Sequence, residues 1–136
     1  MSDQVVAIAL KIPDNSAYTA KVTLQRLGVE VQRVERSDIV RFENDENAEE
    51  LRARVERDES IFNPNKHRIT MLPSPSPRTG EVWIETIGAE SRVARMPARR
   101  YVGWRLFAGD APAPRATLDA AVQALLCNPA IERAIY

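Results

Sequence analysis

Histidine and cysteine each occur once in the 136 residues, and this scarcity sets the first bounds. The lone thiol, Cys127, has no intramolecular disulfide partner, which fits a reducing compartment. It lies on the apolar side of a predicted helix end, so an inert, buried thiol is expected. The lone histidine, His67, leaves no His cluster for a metal and no second histidine for a nucleophilic relay. Flanked by Lys66 and Arg68, it is expected to be exposed. The 5 glycines are scattered beside turns and strand ends, and none forms a phosphate-cradling loop. An excess of one charge is missing too: 19 Lys+Arg offset 19 Asp+Glu, so no global field draws the chain to nucleic acid or an anionic membrane. No apolar run approaches the ~20 residues of a membrane span, and the first residues lack the charged-then-apolar pattern of a secretory signal. The expectation is a cytoplasmic protein with no catalytic residues, metal ligands or cofactor, and no nucleic-acid or membrane partner.

What is present is the substance of an ordinary globular chain. With 44% hydrophobic and 28% charged residues, it can bury the core of one compact domain or two very small ones. Val5 to Ile12 is apolar and β-branched, which predicts a well-buried strand stopped by Pro13. Asp14, Asn15 and Ser16 offer side-chain oxygens to open a helix. Ala17, Ala20, Leu24 and Leu27 continue it on one face, and Gly28 ends it. Val29 to Val34 alternates as a strand. Glu35 to Asp38 is a polar break, and Ile39 to Phe42 resumes β character, as a hairpin or as one bent strand. Asn47 and Glu50 form a capping-box-like start for a helix with Ala48, Leu51, Val55 and Phe62 on its apolar face. Glu50 is placed to pair with Arg54, and the helix is expected to run to Asn63-Pro64.

Lys66 to Leu72 predicts an edge-like strand, and Pro73-Ser74-Pro75-Ser76-Pro77 a semi-rigid polyproline spacer. Beyond it come strands at Glu81 to Ile87 and at Arg100 to Phe107, then a loop over Gly109 to Pro114. A helix capped by Thr117 follows, and after Asn128-Pro129 a last strand runs from Ile131 to Tyr136.

Asn63 lies 21 residues after Phe42, and Asn128 lies 21 residues after Phe107. One amphipathic helix falls in each interval, and a short run ending in Ile69 or Ile135 follows. The chain therefore reads as α+β: a ferredoxin-like βαββαβ unit over 1–72, a linker over 73–80, and an abbreviated second copy over 81–136. From Val5 to Phe42 is 37 residues and from Val82 to Phe107 only 25, so the second copy is 12 shorter, about one helix. It is expected to lack its first helix, leaving one sheet face thinly covered. The two antiparallel sheets would pair as a pseudo-dimer.

One local feature could carry binding. Arg92, Arg95, Arg99, Arg100 and Arg105 fall in a stretch without an acidic residue, with Tyr101 among them. Arginine forks suit carboxylates and phosphates, so this stretch is the candidate site for an acidic partner surface or a small anion. Trp83 and Trp104 lie near it in sequence and are expected in core or interface, not as base-stacking platforms.

Leu10-Lys11-Ile12, Leu24 to Val34, and Leu125-Leu126-Cys127-Asn128-Pro129-Ala130-Ile131-Glu132 together resemble PurS, the small subunit of bacterial and archaeal phosphoribosylformylglycinamidine synthase. Arg100-Tyr101-Val102 is similar to that family's Gly-Lys-Tyr strand segment. The chain departs from the family at Asn15-Ser16-Ala17, which follows Asp14 where the family has Asp-Pro-Gln-Gly, and at Ser37-Asp38-Ile39 in place of Gly-Lys-Tyr. The resemblance implies a fused pair of non-catalytic interaction subunits. Their partners would be the large ATP-dependent synthetase subunit and the glutaminase subunit, and homodimerisation is a further expectation. Two other readings follow from the residues: a small-ligand-binding regulatory domain with the arginine stretch as anion site, or a small enzyme of the dimeric α+β barrel kind. For the enzyme, His67, Asp38 and Tyr101 are the only candidate acid–base groups.

Overall fold

The Val5 to Ile12 run folds as a buried strand only in part, since the strand stops at Leu10 and Ile12 is 57% exposed. Strand β1, Asp3–Leu10, has four consecutive buried residues at its centre, so both of its faces are covered. A computed structural model describes residues 3–43 and 46–136. It shows an α+β chain with eight strands in a mostly antiparallel sheet and three helices. The residues gather into two compact units, each discontinuous in sequence. The first holds the described residues up to Pro13 with Ser37–Pro75 and Gly88–Tyr101; the second holds Asp14–Arg36, Ser76–Ile87 and Val102–Tyr136. Compactness thus divides the chain differently from the sequence spacing.

In the first unit β1 is central. It lies antiparallel to β2 (Arg33–Glu43), with Val6 opposite Val40, and to β3 (His67–Met71), with Ile8 opposite Ile69. β2 runs unbroken through Glu35 to Asp38, so the bent single strand is correct and the hairpin is not. Helix α2, Ala48–Glu56, is capped by the Asn47 side chain, which accepts the Glu49 N–H at 2.9 Å, and carries Glu49 and Glu50 in its first turn. Carboxylates there suit the positive end of the helix. Leu51 and Val55 of α2 pack with Val6, Ile8, Val40, Phe42, Phe62 and Ile69.

Two expectations about α2 fail for local reasons. The helix ends at Arg57 and not at Asn63, because the Asp58 carboxylate takes the Ser60 N–H at 3.0 Å and its hydroxyl at 2.6 Å, a turn that competes with helical bonding. Arg54 pairs with Glu46 at 2.8 Å instead of Glu50, and the i,i+4 pair is Arg52–Glu56.

The arginine stretch opens on an unpredicted hairpin, β5 (Ser91–Val93) against the start of β6 (Met96–Ala108). Its turn residues, Ala94 and Arg95, have φ of 51° and 64°. Such turns usually show Gly or Asn, and neither stands here to signal one.

The second unit is built on β4, Glu81–Thr86. It is antiparallel to β6, with Val82 opposite Trp104, and to β8 (Glu132–Ile135), with Ile84 opposite Ala134. Gly80 precedes it with φ 78°, and any Cβ there would stand 2.8 Å from the Pro112 side chain in the short strand β7 (Ala111–Pro112). Two helices lie in this unit. Helix α1, Asn15–Arg26, is capped by Asp14, whose Oδ1 accepts the Ala17 N–H at 3.1 Å. It closes in a Schellman turn: Gly28, φ 86°, donates to the Gln25 carbonyl at 3.1 Å, and Val29 donates to Leu24 at 2.9 Å. Helix α3, Arg115–Ala121, starts from Pro114 and not Thr117, which sits inside its first turn, and it continues as a π-helical turn over Val122–Leu126.

Ala17 and Leu24 of α1 share one core with Val82, Ile84, Leu106, Leu118 and Ala121. The face expected to be thinly covered is therefore covered, by the helix that the first half of the sequence encodes. Leu27, expected on that face, is instead 55% exposed.

Candidate functional site

The two Asn-Pro segments are the clearest built features. After α2, the Asn63 carbonyl accepts the N–H of Lys66 at 2.9 Å and of His67 at 2.7 Å, its Oδ1 accepts the Asn65 N–H at 2.9 Å, and its own N–H donates to His67 Nδ1 at 2.9 Å. After the π turn, Asn128 repeats the set. Its carbonyl accepts from Ile131 at 3.1 Å and Glu132 at 2.8 Å, its Oδ1 from Ala130 at 3.1 Å, and its N–H donates to Glu132 Oε1 at 2.8 Å. Asparagine suits both positions because its amide oxygen bonds the backbone two residues on, and proline next in line presets φ.

The sheet register sharpens the sequence spacing. Since Val6 faces Val40 and Val82 faces Trp104, the residue in the second unit at the place of Phe42 is Leu106. Phe42 and Leu106 each belong to their unit's main apolar cluster, whereas Phe107 is buried apart from it, with the Arg33 guanidinium 3.9 Å and the Arg105 guanidinium 5.2 Å from its ring centroid.

The arginine stretch is split between the units. Arg92 and Arg99 line a groove of about 1020 Å³ in the first unit, where they meet Arg41, which sequence reasoning missed. Glu43 and Glu90 line the same groove, so its charge is mixed. Arg41 is bonded to Asp3 (Nε to Oδ2, 2.7 Å), and Arg92 donates to the Arg95 carbonyl at 2.6 Å. The Asp3 hydrogen bonds hold the Arg41 guanidinium above its ordinary value against the opposing effect of burial, with a smaller contribution from Tyr101. Tyr101 itself is 4% exposed, so it is no surface contact. Arg95 sits with Arg54, Arg57, Asp58 and Glu59 around a second depression, and Arg100 adds to the field that lowers Asp58. Arg105 belongs to the second unit, where its Nε donates to the Thr79 carbonyl at 3.3 Å. Arg41 carried no local signal, because only the alignment of β2 with the hairpin brings it to this groove.

The acid–base candidates do not form a relay. His67 is half-buried and not exposed; its Nδ1 is occupied by the Asn63 N–H, and its ring lies 6.0 Å from that of Phe62. In β2 Asp38 is opposite Ile8, while in β3, on the other side of β1, His67 is opposite Leu10; two strand spacings and a two-residue offset put their backbones roughly 12 Å apart. Cys127 packs against the second core, and burial, then Glu132, pushes its thiol above the ordinary value. Among the described residues, no group of three or more His, Cys, Asp or Glu could hold a metal ion, and no helix is long and apolar enough to cross a membrane.

Two exposed apolar side chains adjoin the edge of the second unit. Ile87 and Ile131, 57% and 56% exposed, are joined by the Ile87 N–H to the Ile131 carbonyl at 2.8 Å, next to β8, which ends the strand order. No family model, curated protein or solved structure matches the chain.

Proposed function

We propose that this protein is a non-catalytic interaction subunit of the PurS kind, two PurS-like units carried on one chain. The observation that carries this reading is the common plan of the units. In each, a central strand (β1, β4) lies antiparallel between the strand before a helix (β2, β6) and the strand after it (β3, β8), and the same Asn-Pro turn leads from the helix side into that last strand. That arrangement supports a ferredoxin-like unit repeated within 1–72 and 81–136, joined through 73–80. The exposed Ile87–Ile131 pair beside an edge strand supports a contact surface, since edges and apolar patches are where chains pair. On this reading the partners are the large synthetase subunit and the glutaminase subunit of a cytoplasmic phosphoribosylformylglycinamidine synthase.

The test is co-purification with both subunits and measurement of glutamine-dependent turnover. Co-elution with restored turnover is expected, weakened by Ile131→Asp. No co-elution and no effect on turnover would overturn it.

A second reading, a regulatory domain that binds a small anion, is favoured by one observation: Arg41, Arg92 and Arg99 line one groove. Its mixed charge suits a partner surface of alternating sign better than a phosphate. A thermal-shift screen with nucleotides and amino acids decides it, because ligand at about 100 times its Kd adds about 2.7 kcal/mol.

A further inference from the structure

The second unit holds an open cleft of about 470 Å³ between α1 and the π turn. Ligand pockets commonly span about 300–1,000 Å³, so its size is adequate for a small molecule. One wall is polar but uncharged. Ser16, Thr19 and Thr23 recur at i, i+3 and i+7 along α1, which places their hydroxyls in one stripe. The other wall is apolar, made of Trp104, Leu125 and Leu126. Leu126 belongs to the core and fixes that wall, while Leu125 is 42% exposed at the mouth, a large aliphatic group turned toward water by a helix that has just widened to π geometry. Such π turns interrupt a helix at some cost and recur at functional sites.

Among the described residues, no ionisable side chain lines the cleft. A charged ligand would lose water there and gain no counter-ion, whereas a flat neutral ring could lie against the Trp104 indole and turn one polar edge to the hydroxyl stripe. We infer that this cleft is a binding site for a neutral, planar, largely apolar ring compound bearing a hydrogen-bonding edge. This site is separate from the arginine-lined groove and does not depend on the partner-binding reading.

The test uses 2-naphthol as the probe and 2-naphthoate as its charged counterpart on the same rings, titrated into the full chain with Trp emission and amide NMR shifts as readouts. Saturable binding of 2-naphthol is expected, with shifts centred on the amides of Ser16 to Thr23 and of Leu125 and Leu126, and 2-naphthoate about tenfold weaker or worse. Thr19→Glu, at an exposed helix position, should keep the melting temperature and weaken 2-naphthol by about tenfold. Trp104→Phe should retain a ring platform and most of the affinity, so a failure of Trp104→Ala to fold leaves the test intact. Equal affinity for the two probes, shifts centred elsewhere, 2-naphthol binding unchanged by Thr19→Glu, or no binding at about 1 mM would each overturn the assignment.

Discussion

Replacing Arg78 by alanine would strip the counter-ion from a carboxylate that is almost wholly enclosed. Glu81 is 2% exposed at the start of β4, and Arg78 supplies it with three hydrogen bonds. The backbone N–H reaches Oε1 at 3.0 Å, Nε reaches the same oxygen at 3.1 Å, and a terminal guanidinium N–H reaches Oε2 at 2.7 Å. The Glu81 bonds hold the Arg78 guanidinium above its ordinary value although burial opposes them. Alanine keeps the first bond and loses the other two. Hydrogen bonds to charged groups are worth about 1.5–3 kcal/mol each, and breaking a buried ion pair costs about 3–5 kcal/mol. The Arg78 side chain is 27% exposed, so water reaches the vacated side and the lower end, about 3 kcal/mol, is expected.

That is a large part of the ~5–15 kcal/mol that holds a domain folded. Urea denaturation followed by Trp emission should show a lower midpoint with the slope unchanged. Arg78→Lys keeps the charge without the fork and should fall between. Arg78→Leu with Glu81→Leu removes both charges and should recover most of the loss. A cost below about 1 kcal/mol for Arg78→Ala, or a double variant no more stable than the single one, would refute the reasoning.

Asp58→Asn should lower stability by about 1–3 kcal/mol, because the carboxylate also accepts the Ala94 N–H at 2.9 Å and so pins the β5–β6 turn. The Ser60 hydroxyl, then the Ala94 amide, hold Asp58 below its ordinary 3.8. Its stabilisation is therefore complete above that value and lost as pH falls through the lower folded value, and melting temperature against pH should show a shallower acid limb in Asp58→Asn. Arg95→Gly relieves a left-handed backbone at φ 64° and should raise stability by about 0.5–1 kcal/mol in the same denaturation assay; a decrease would count against the strain. Asn63→Ala and Asn128→Ala each lose one side-chain bond to a backbone N–H and should each cost about 0.5–1.5 kcal/mol; a large disparity would mean the turns do different structural work. Cys127, with its thiol raised by burial and Glu132, should react with a disulfide reagent at pH about 8 more slowly in the folded chain than in urea.

Much of the fold was legible because it is set by bonds between near neighbours. The Asp14 cap, the Gly28 stop, the Asn47 cap and the Asn-Pro turns each close hydrogen bonds within about six residues, so the local residue types suffice. The buried run of β1 was legible for a related reason: a strand covered on both faces loses its alternation. The candidate site was less so. Of Arg92, Arg95, Arg99, Arg100, Arg105 and Tyr101, two line a groove, and their third arginine, Arg41, comes from a strand more than forty residues away in sequence.

By itself, then, the sequence determined most of the helices and strands, the caps at Asp14 and Asn47, the stop at Gly28, and that one strand–helix–Asn-Pro pattern occurs twice. Tertiary structure decided which elements share a core. Helix α1 follows β1 in the chain but buries Ala17 and Leu24 with Val82, Ile84 and Leu106, so its apolar face is satisfied by strands encoded some sixty residues later. Register decided that Leu106, not Phe107, answers to Phe42, and a one-residue difference in a strand turns a side chain to the opposite face. Burial of all the apolar surface at once makes those choices, and no window of neighbouring residues contains that information.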